Sequence, residues 1–174
     1  LPLIKQRRIA VETRDVYAPL AHRLGMNRLK IELEDLVLKT LEPNEYKKLQ
    51  KKVQATRKER EKYIEEFAKP INVELENFNI QSEIKGRAKH YYSILGKMRK
   101  QNKVFEELFD LFAIRIIVQK VEDCYATLGV IHQLYTPLQE RFKDYIATPK
   151  SNGYQSIHTT VFGKKGRMVE VQIR

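Results

Sequence analysis

Residues 156–173 read SIHTTVFGKKGRMVEVQI, and this stretch decides the fold of the second half of the chain. Polar and apolar residues alternate over 156–162 and again over 168–173, which is typical of β-strands. The segment 163–167 between them is rich in glycine and lysine, as turns are. The stretch therefore predicts a β-hairpin with a five-residue turn.

The length of this turn sets which residues face each other. With five residues in the turn, Thr160 lies opposite Glu170, and by the same register His158 lies opposite Gln172. The polar side chains then share one face and the apolar side chains pack on the other, whereas a four-residue turn would mix the two sets. We therefore predict that one face of the sheet is a working surface. The alternative is an ordinary solvent-facing side of an antiparallel hairpin.

The rest of the chain supplies further helices and a strand. Apolar residues at helical spacing predict helices over 9–24, 28–41, 44–69, 90–101 and 121–135, and an apolar run predicts a strand over 111–118. Pro19 is expected to kink or split the first helix. This mixture predicts an α+β fold, a mixed β-sheet with flanking helices preceded by an all-helical segment.

Composition restricts the classes of partner. The chain has 174 residues, and its 33 Lys and Arg against 22 Asp and Glu give a net charge of +11, which favours anionic partners. Its single cysteine, Cys124, excludes a disulfide within the chain. No apolar run approaches the roughly 18 residues of a membrane span, so no membrane partner is expected. Because it begins without Met and without a signal peptide, we expect it to be part of a longer protein.

Three polar clusters are candidates for a binding site. The loop before the hairpin offers cations for phosphate, an amide, and a ring for stacking: Lys143, Lys150, Asn152 and Tyr154. The second cluster is Gly86–His90, which opens a helix bearing Ser93 and Lys97, because cations at a helix N-terminus bind phosphate. The third is Asp110, at the start of a strand that buries Arg115, whose charge needs a partner or a ligand. The two common glycine-rich nucleotide loops are absent from the sequence.

Four segments, in their order and spacing, closely resemble the RelA/SpoT family of alarmone synthetases, which make guanosine tetra- and pentaphosphate. They are GRAKHYYSILGKM (86–98), LFDLFAIRIIV (108–118), the loop and strand over 141–160, and VEVQIR (169–174). The resemblance runs through the whole chain. It implies a nucleotidyltransferase-like synthetase core for the sheet.

The resemblance also implies a domain organisation. Residues 1–42, through YAPLAHRLG at 17–25, are similar to the last helices of the family's hydrolase domain, whose own active site lies upstream in such proteins. Residues 43–70 are expected to form a charged connecting helix, and 71–174 the synthetase core, incomplete at its C-terminus. The basic form RFKD at 141–144 implies a parent protein that both makes and destroys alarmone.

Each candidate residue receives a role from the resemblance. The implied ATP-binding residues are Arg87 and Arg115, around the adenine, and Lys89, Ser93 and Lys97, along the triphosphate. The implied GDP- or GTP-binding residues are Lys143, Lys150, Asn152, Tyr154, His158 and Gln172, with Tyr154 stacked on the guanine. Asp110 and Glu170 are the implied catalytic carboxylates and Mg²⁺ ligands, and Glu170 is also the expected base for the 3′-hydroxyl.

The implied reaction is transfer of the pyrophosphoryl group of ATP to the 3′-hydroxyl of GDP or GTP, with release of AMP. The expected cofactor is Mg²⁺, the expected partners are ATP and GDP or GTP, and the expected location is the cytoplasm. By resemblance, the parent protein is expected to associate with the ribosome. Two residues depart from the family pattern without being proposed ligands: Glu140, in a Gln-Glu pair where Pro-Gly is common, and Ala88, in place of a frequent proline.

Two other functions stay open at this point. The chain is alternatively a catalytically silent regulatory or interaction fragment of such an enzyme. A nucleic-acid-binding module would explain the net charge through the basic helix over Lys47–Lys62. Glutamates in that same helix repel phosphates, so no stable nucleic-acid binding is expected of this chain. An assay of product formation from ATP and GDP separates these functions.

Overall fold

The computed structural model describes residues 1–87, 89–105, 108 and 112–174. The chain divides into two compact units. The helical unit consists of Leu1–Thr56, Lys89–Leu108 and Ser151–Gly153. The sheet unit consists of Arg57–Ala88, Phe109–Lys150 and Tyr154–Arg174. Within the described ranges, no helix is both long enough and apolar enough to span a membrane.

The predicted α+β fold, a mixed sheet with flanking helices after an all-helical segment, is confirmed. The helices are α1 (Leu3–Glu12), α2 (Ala18–Arg23), α3 (Asn27–Leu41), α4 (Pro43–Ala55), α5 (Arg57–Asn77), α6 (Tyr91–Gln101) and α7 (Val121–Leu134). The strands are β1 (Ser82–Gly86), β2 (Phe112–Val118), β3 (Lys143–Asp144), β4 (Ile157–Phe162) and β5 (Met168–Ile173). Short 3-10 turns lie at Gln139–Arg141 and Lys164–Gly166.

Proline and glycine set the boundaries in the helical unit. A π-helical turn, Thr13–Tyr17, separates α1 from α2, so the predicted first helix is split just before Pro19, which lies in the first turn of α2. Gly25 ends α2 with a φ of 71°, and the Met26 N–H donates to the Ala21 carbonyl at 2.9 Å. The buried apolar residues of this unit are Ala10, Ala18, Ala21, Val37, Leu38, Leu49, Ile94, Leu95, Phe105 and Leu108.

The sheet unit is built on a five-stranded sheet in the order β1-β2-β5-β4-β3. β2 runs parallel to β5, and the other neighbouring pairs are antiparallel. Thr160 pairs with Glu170 and His158 with Gln172, which confirms the predicted hairpin register. The apolar face packs against α5 and α7, and its fully buried side chains are Ile114, Ile116, Ile157, Val161, Val169, Val171 and Ile173.

The segment predicted as one helix over 44–69 is instead two helices, α4 and α5, with a break at Thr56. α5 then continues past Pro70 as far as Asn77. A proline inside a helix removes one backbone hydrogen bond and costs about 3 kcal/mol. Phe67, Ile71 and Leu75 are nearly completely buried in the sheet core on both sides of Pro70, and their burial outweighs that cost.

The turn of the hairpin is anchored on α5, which fixes the orientation of β4 and β5. The Tyr63 hydroxyl donates to the Lys164 carbonyl at 3.1 Å. Arg167 Nη2 donates to Glu59 Oε1 at 2.7 Å, and its guanidinium lies 5.0 Å from the ring centroid of Phe112. This ion pair and cation–π contact hold the turn, so the polar face of the hairpin keeps a constant orientation on its helix.

Candidate active site on the polar face of the sheet

One residue from each strand contributes to a row of polar side chains across the whole sheet. Lys85 of β1 pairs with Arg115 of β2, and Arg115 pairs with Gln172 of β5. Gln172 pairs in turn with His158 of β4, and His158 with Lys143 of β3. Because side chains alternate along a strand, all five lie on the face opposite the apolar core. The working face predicted for the hairpin therefore extends over the full sheet.

Glu170 lies in the adjacent row of this face and has two donors beside it. Gln172 Nε2 donates to Glu170 Oε1 at 2.9 Å, and Arg87 Nη1 lies 3.7 Å from the same oxygen. The Arg87 backbone N–H donates to the Ala113 carbonyl at 2.7 Å, which ties the residue to β2. The Glu170 side chain is 19% exposed, so its carboxylate is oriented yet accessible. The sequence assigned Arg87 to adenine alone and missed its contact with Glu170.

His158 lies at the centre of the cationic part of this face. Burial is the main cause that lowers the pKa of His158, to about 4. The positive charges of Lys150, Arg87 and Lys143 lower this pKa further, and Glu170 opposes them. His158 is therefore a neutral ring at neutral pH, with one nitrogen that donates and one that accepts.

Aromatic rings surround His158. The Tyr154 hydroxyl and His158 Nε2 form a hydrogen bond of 2.9 Å, and the Tyr145 ring meets His158 edge-on at a centroid distance of 5.2 Å. Lys150 Nζ lies 4.5 Å from the centroid of Tyr145 and 5.4 Å from that of Tyr154. Ring faces next to an ammonium group suit a ligand with both an aromatic base and phosphates. Tyr145 was not among the predicted ligands, although it lies within the segment 141–160 that carries the family resemblance.

Asp144 sets the course of the loop that carries these rings. Its Oδ1 accepts hydrogen bonds from the Ile146 and Ala147 N–H groups, each at 2.9 Å, and its Oδ2 accepts one from the Tyr125 hydroxyl at 3.0 Å. Partial burial would raise the pKa of Asp144, but these donors outweigh it and lower that pKa. An aspartate that bonds the N–H two residues later is the signal of an Asx-turn, and it could have been found from the sequence.

Arg115 carries an unpaired donor. Its Nε is buried without a hydrogen-bond partner among the described residues. Burial lowers the pKa of Arg115, and the nearby charges of Arg174 and Arg87 lower it further. Arg115 as a whole is half-buried rather than buried, and the physical basis for a ligand beside it is its buried, unpaired Nε.

Four of the predicted ligands belong to the helical unit. Lys89 lies just before α6, and Ser93 and Lys97 lie one turn apart on one face of that helix. Asn152 donates through Nδ2 to the His22 carbonyl at 3.1 Å within the helical unit. The remaining predicted ligands that the structure describes belong to the sheet unit.

Asp110, the second predicted metal ligand, lies outside the described residues, as does Ala88. Within the described ranges, no three His, Cys, Asp or Glu side chains are grouped as a metal site. The site as described thus contains one predicted carboxylate ligand, Glu170.

Sequence comparison connects the chain to known proteins. A family model described as "Region found in RelA / SpoT proteins" matches residues 86–174. The chain is 50% identical over 165 residues to a GTP pyrophosphokinase of Escherichia coli K12, covering 95% of this chain and 22% of the relative. It is 49% identical over 171 residues to a guanosine-3′,5′-bis(diphosphate) 3′-pyrophosphohydrolase of Aquifex aeolicus, covering 98% of this chain and 25% of the relative. The chain thus spans about a quarter or less of the length of these relatives.

A solved structure shares the fold. The small alarmone synthetase 1 of Bacillus subtilis, bound to its product pppGpp, superposes with a TM-score of 0.52 at 26% sequence identity. The superposition covers 74% of each chain. The similarity includes most of this chain, so it extends beyond the segment matched by the family model.

Proposed function

The chain belongs to the RelA/SpoT family, and from that premise we propose that it transfers the pyrophosphoryl group of ATP to the 3′-hydroxyl of GDP or GTP. The family predicted from the sequence is thereby confirmed, and the activity is proposed on that basis. The observation that carries it is the accessible Glu170 carboxylate, held by Gln172 and Arg87 on the polar face of the sheet.

Glu170 is proposed as the base of the reaction. It takes the proton of the 3′-hydroxyl as that oxygen forms a bond to the β-phosphorus of ATP. The bond between the β-phosphorus and the oxygen bridging to the α-phosphate breaks, and AMP leaves with that oxygen. The products are AMP and guanosine tetra- or pentaphosphate, and the proton passes from Glu170 to solvent. The partial exposure of the carboxylate supports this role.

On the ATP side, Arg87 and Arg115 are proposed to hold the adenine. A planar guanidinium stacks well on a base. The buried, unpaired Nε of Arg115 supports the proposal that a ligand binds beside it. Lys89, Ser93 and Lys97 are proposed to bind the triphosphate. Their support is that α6 presents a hydroxyl and an ammonium on one face, next to the helix N-terminus.

On the guanosine side, Tyr154 is proposed to stack on the guanine. The cations proposed for the phosphates are Lys143 and Lys150, and the proposed polar contacts are Asn152, His158 and Gln172. The low pKa of His158 supports its part, because a neutral ring forms hydrogen bonds without adding a charge beside the lysines.

Glu170, together with Asp110, is proposed to hold Mg²⁺. The donor chemistry fits, because an accessible carboxylate oxygen is a ligand that Mg²⁺ prefers and this ion needs only one or two of them when phosphates are present. When bound, the ion would neutralise charge on the phosphates. Asp110 enters this proposal through the family resemblance alone.

Three further proposals concern the whole protein and rest on the family alone. They are a second, hydrolytic activity in the parent protein, association of that protein with the ribosome, and action in the cytoplasm, where its nucleotide substrates are. The chain spans only 22% and 25% of two of its relatives, so residues beyond it would carry the first two of these functions.

The test is product formation by the purified chain with Mg²⁺, ATP and GDP, followed by anion-exchange separation of the nucleotides. Glu170→Gln preserves shape and removes the base, so turnover should fall by about 100-fold or more while both nucleotides still bind in calorimetric titration. Glu83→Gln is the matched control, because Glu83 is an exposed carboxylate on the same face, paired with Lys85. Near-parental turnover of Glu170→Gln would exclude the base assignment. If the unsubstituted chain binds both nucleotides without making product, the alternative of a catalytically silent fragment is supported.

A further inference from the structure

The helix that carries the proposed triphosphate ligands, α6, is docked on α3 and the residues that follow it. The Tyr92 backbone N–H, in the first turn of α6, donates to Asp35 Oδ1 of α3 at 2.9 Å. At the other end of α6, Arg99 forms two hydrogen bonds with Glu42, of which Nη1 to Oε1 measures 3.0 Å. The helix is thus held at both ends by carboxylates from residues that precede the family-matched segment 86–174.

A third contact connects α3 to a proposed ligand, Ser93, through His90. Glu34 Oε2 of α3 lies 2.9 Å from His90 Nε2, and Ser93 Oγ lies 2.8 Å from the same nitrogen. The Glu34 and His90 side chains are only 14% and 13% exposed. Lys30 Nζ lies 3.4 Å from Glu34 Oε1. Glu34, His90 and Ser93 form a hydrogen-bond network in which His90 Nε2 contacts one oxygen of Glu34 and one of Ser93.

The positions of the hydrogens in this network follow from the charge of Glu34. Burial would raise the pKa of Glu34, but the contacts with His90 and Lys30 outweigh it and lower that pKa, so Glu34 is ionised at neutral pH. An ionised carboxylate only accepts hydrogen bonds, and therefore His90 Nε2 must carry a hydrogen. A protonated Nε2 has no lone pair with which to accept a hydrogen bond from the Ser93 hydroxyl. Ser93 Oγ therefore accepts from the same N–H. The hydroxyl hydrogen of Ser93 then stays available for another acceptor.

We propose that Glu34 is a positioning residue for ATP: by keeping the proton on His90 Nε2, it leaves the Ser93 hydroxyl as a donor to a phosphate oxygen. The proposal rests on the proposed function, which assigns Ser93 to the triphosphate. Without Glu34, the imidazole can adopt the other tautomer, and its Nε2 lone pair then accepts the Ser93 hydroxyl hydrogen. The donor is lost to ATP although Ser93 itself is unchanged. Part of the ATP-binding machinery thereby lies on α3.

The kinetic test compares Glu34→Ala, Ser93→Ala and the double variant. Each single variant should raise KM for ATP by about tenfold, the value of one hydrogen bond to a charged group, and leave KM for GDP within about twofold. The double variant should be no worse than either single variant, because both remove the same hydrogen bond. Glu42→Ala is the control, since it weakens the docking of α6 at its far end and its effect should add to that of Ser93→Ala.

A second measurement does not depend on activity. Nitrogen NMR of the unsubstituted chain, with the His90 signals assigned by their loss in His90→Gln, should show a proton on His90 Nε2. In Glu34→Ala the proton should lie mainly on Nδ1, because the Ser93 hydroxyl then donates to Nε2. An unsubstituted chain in which His90 Nε2 carries no proton overturns the proposal, and this measurement does not require Glu34→Ala to fold.

The outcomes distinguish failure of the proposed function from failure of the role proposed for Glu34. If the parent chain neither binds ATP nor makes product, the proposed function fails and the role of Glu34 fails with it. If the parent is active and Ser93→Ala weakens ATP binding while Glu34→Ala does not, only the role of Glu34 is overturned. Additive effects of Glu34→Ala and Ser93→Ala would overturn it as well, because they would show general helix docking.

Discussion

Replacing His158 with glutamine should remove a specific part of the pH dependence of stability. Burial and the neighbouring cations lower the pKa of His158 to about 4 in the folded chain. An unfolded histidine has a pKa of about 6.5. Between these two values the unfolded chain binds a proton at this site and the folded chain does not. Stability therefore rises with pH from 4 to 6.5, and acidification through this window favours unfolding.

The size of the effect follows from the two pKa values. The full difference corresponds to about 3 kcal/mol of unfolding free energy, reached only below pH 4. Between pH 7.5 and pH 5, where most carboxylates still keep their charge, the site should account for a loss of about 2 kcal/mol. This pH dependence arises only from protonation of the His158 imidazole. Glutamine is the suitable replacement because it still forms hydrogen bonds but does not titrate.

Urea unfolding of both proteins at pH 7.5 and pH 5.0 measures this loss. The parent should lose about 2 kcal/mol more than His158→Gln over that interval. His132 and all carboxylates are shared, so their contributions cancel in the difference. His22→Gln, at an exposed histidine, is the control for the replacement of a histidine by glutamine. Equal losses for the parent and His158→Gln would refute the reasoning, as would an imidazole NMR titration of His158 with a midpoint near pH 6.5.

Two further changes test the guanosine side and the hairpin anchor. Tyr154→Ala should weaken GDP binding by about 5- to 150-fold in calorimetric titration and leave ATP binding nearly intact, because stacking of a base is lost; Tyr154→Phe keeps the ring and should retain most of the affinity, and equal losses for both nucleotides would indicate a structural role. Gly163→Ala should lower the free energy of unfolding by about 1–3 kcal/mol in urea denaturation, because its Cβ would overlap the Tyr63 hydroxyl and contact the Phe67 ring. Gly129→Ala is its control, since a Cβ there meets nothing within 4 Å, and an equal destabilisation of the two variants would contradict this explanation.

The hairpin could be predicted because its determinants are local. A side-chain period of two leaves only two choices of register parity, and the five-residue turn is the choice that puts His158 on the same face as Glu170 and Gln172. The predicted helix ends at residues 24 and 41 also rested on local signals. Gly25 tolerates the positive φ of a helix end, and Pro43 lacks the N–H that would continue a helix.

The division of the charged region into α4 and α5 was not predictable in this way. The break at Thr56 falls in a segment dense in Lys, Arg and Glu, where both helices have the same composition. Pro70 is a strong local signal against a helix, yet α5 passes through it. The burial of Phe67 and Ile71 against the sheet decides this, and contacts so distant in sequence have no local pattern.

The same distinction holds for the candidate site. Parity alone placed Glu170 and His158 on the polar face, and the need for a ligand at Arg115 followed from its apolar neighbours. The proximity of Arg87 to Glu170 depends on the pairing of β1 with β2 and of β2 with β5, which joins residues 83 positions apart. The contact of His90 with Glu34 likewise spans 56 positions. Neither has a periodic signature in the sequence.

The polar face has an electrostatic reason to bind nucleotides. Cations on a partly buried surface lower one another's pKa, as Arg87 and Arg174 do for Arg115 and as Lys143 and Lys150 do for His158. Burial is the larger cause of both shifts. Beyond it, the guanidinium groups around Arg115 repel one another in the folded chain, which costs stability without an anion, and the low pKa of the neutral His158 reflects the positive potential of the lysines beside it. Phosphate groups bound among these cations would offset the part of each shift that the neighbouring positive charges cause. The energy stored in this repulsion is thus released on binding, and it favours ligands with several negative charges over neutral nucleosides with the same bases.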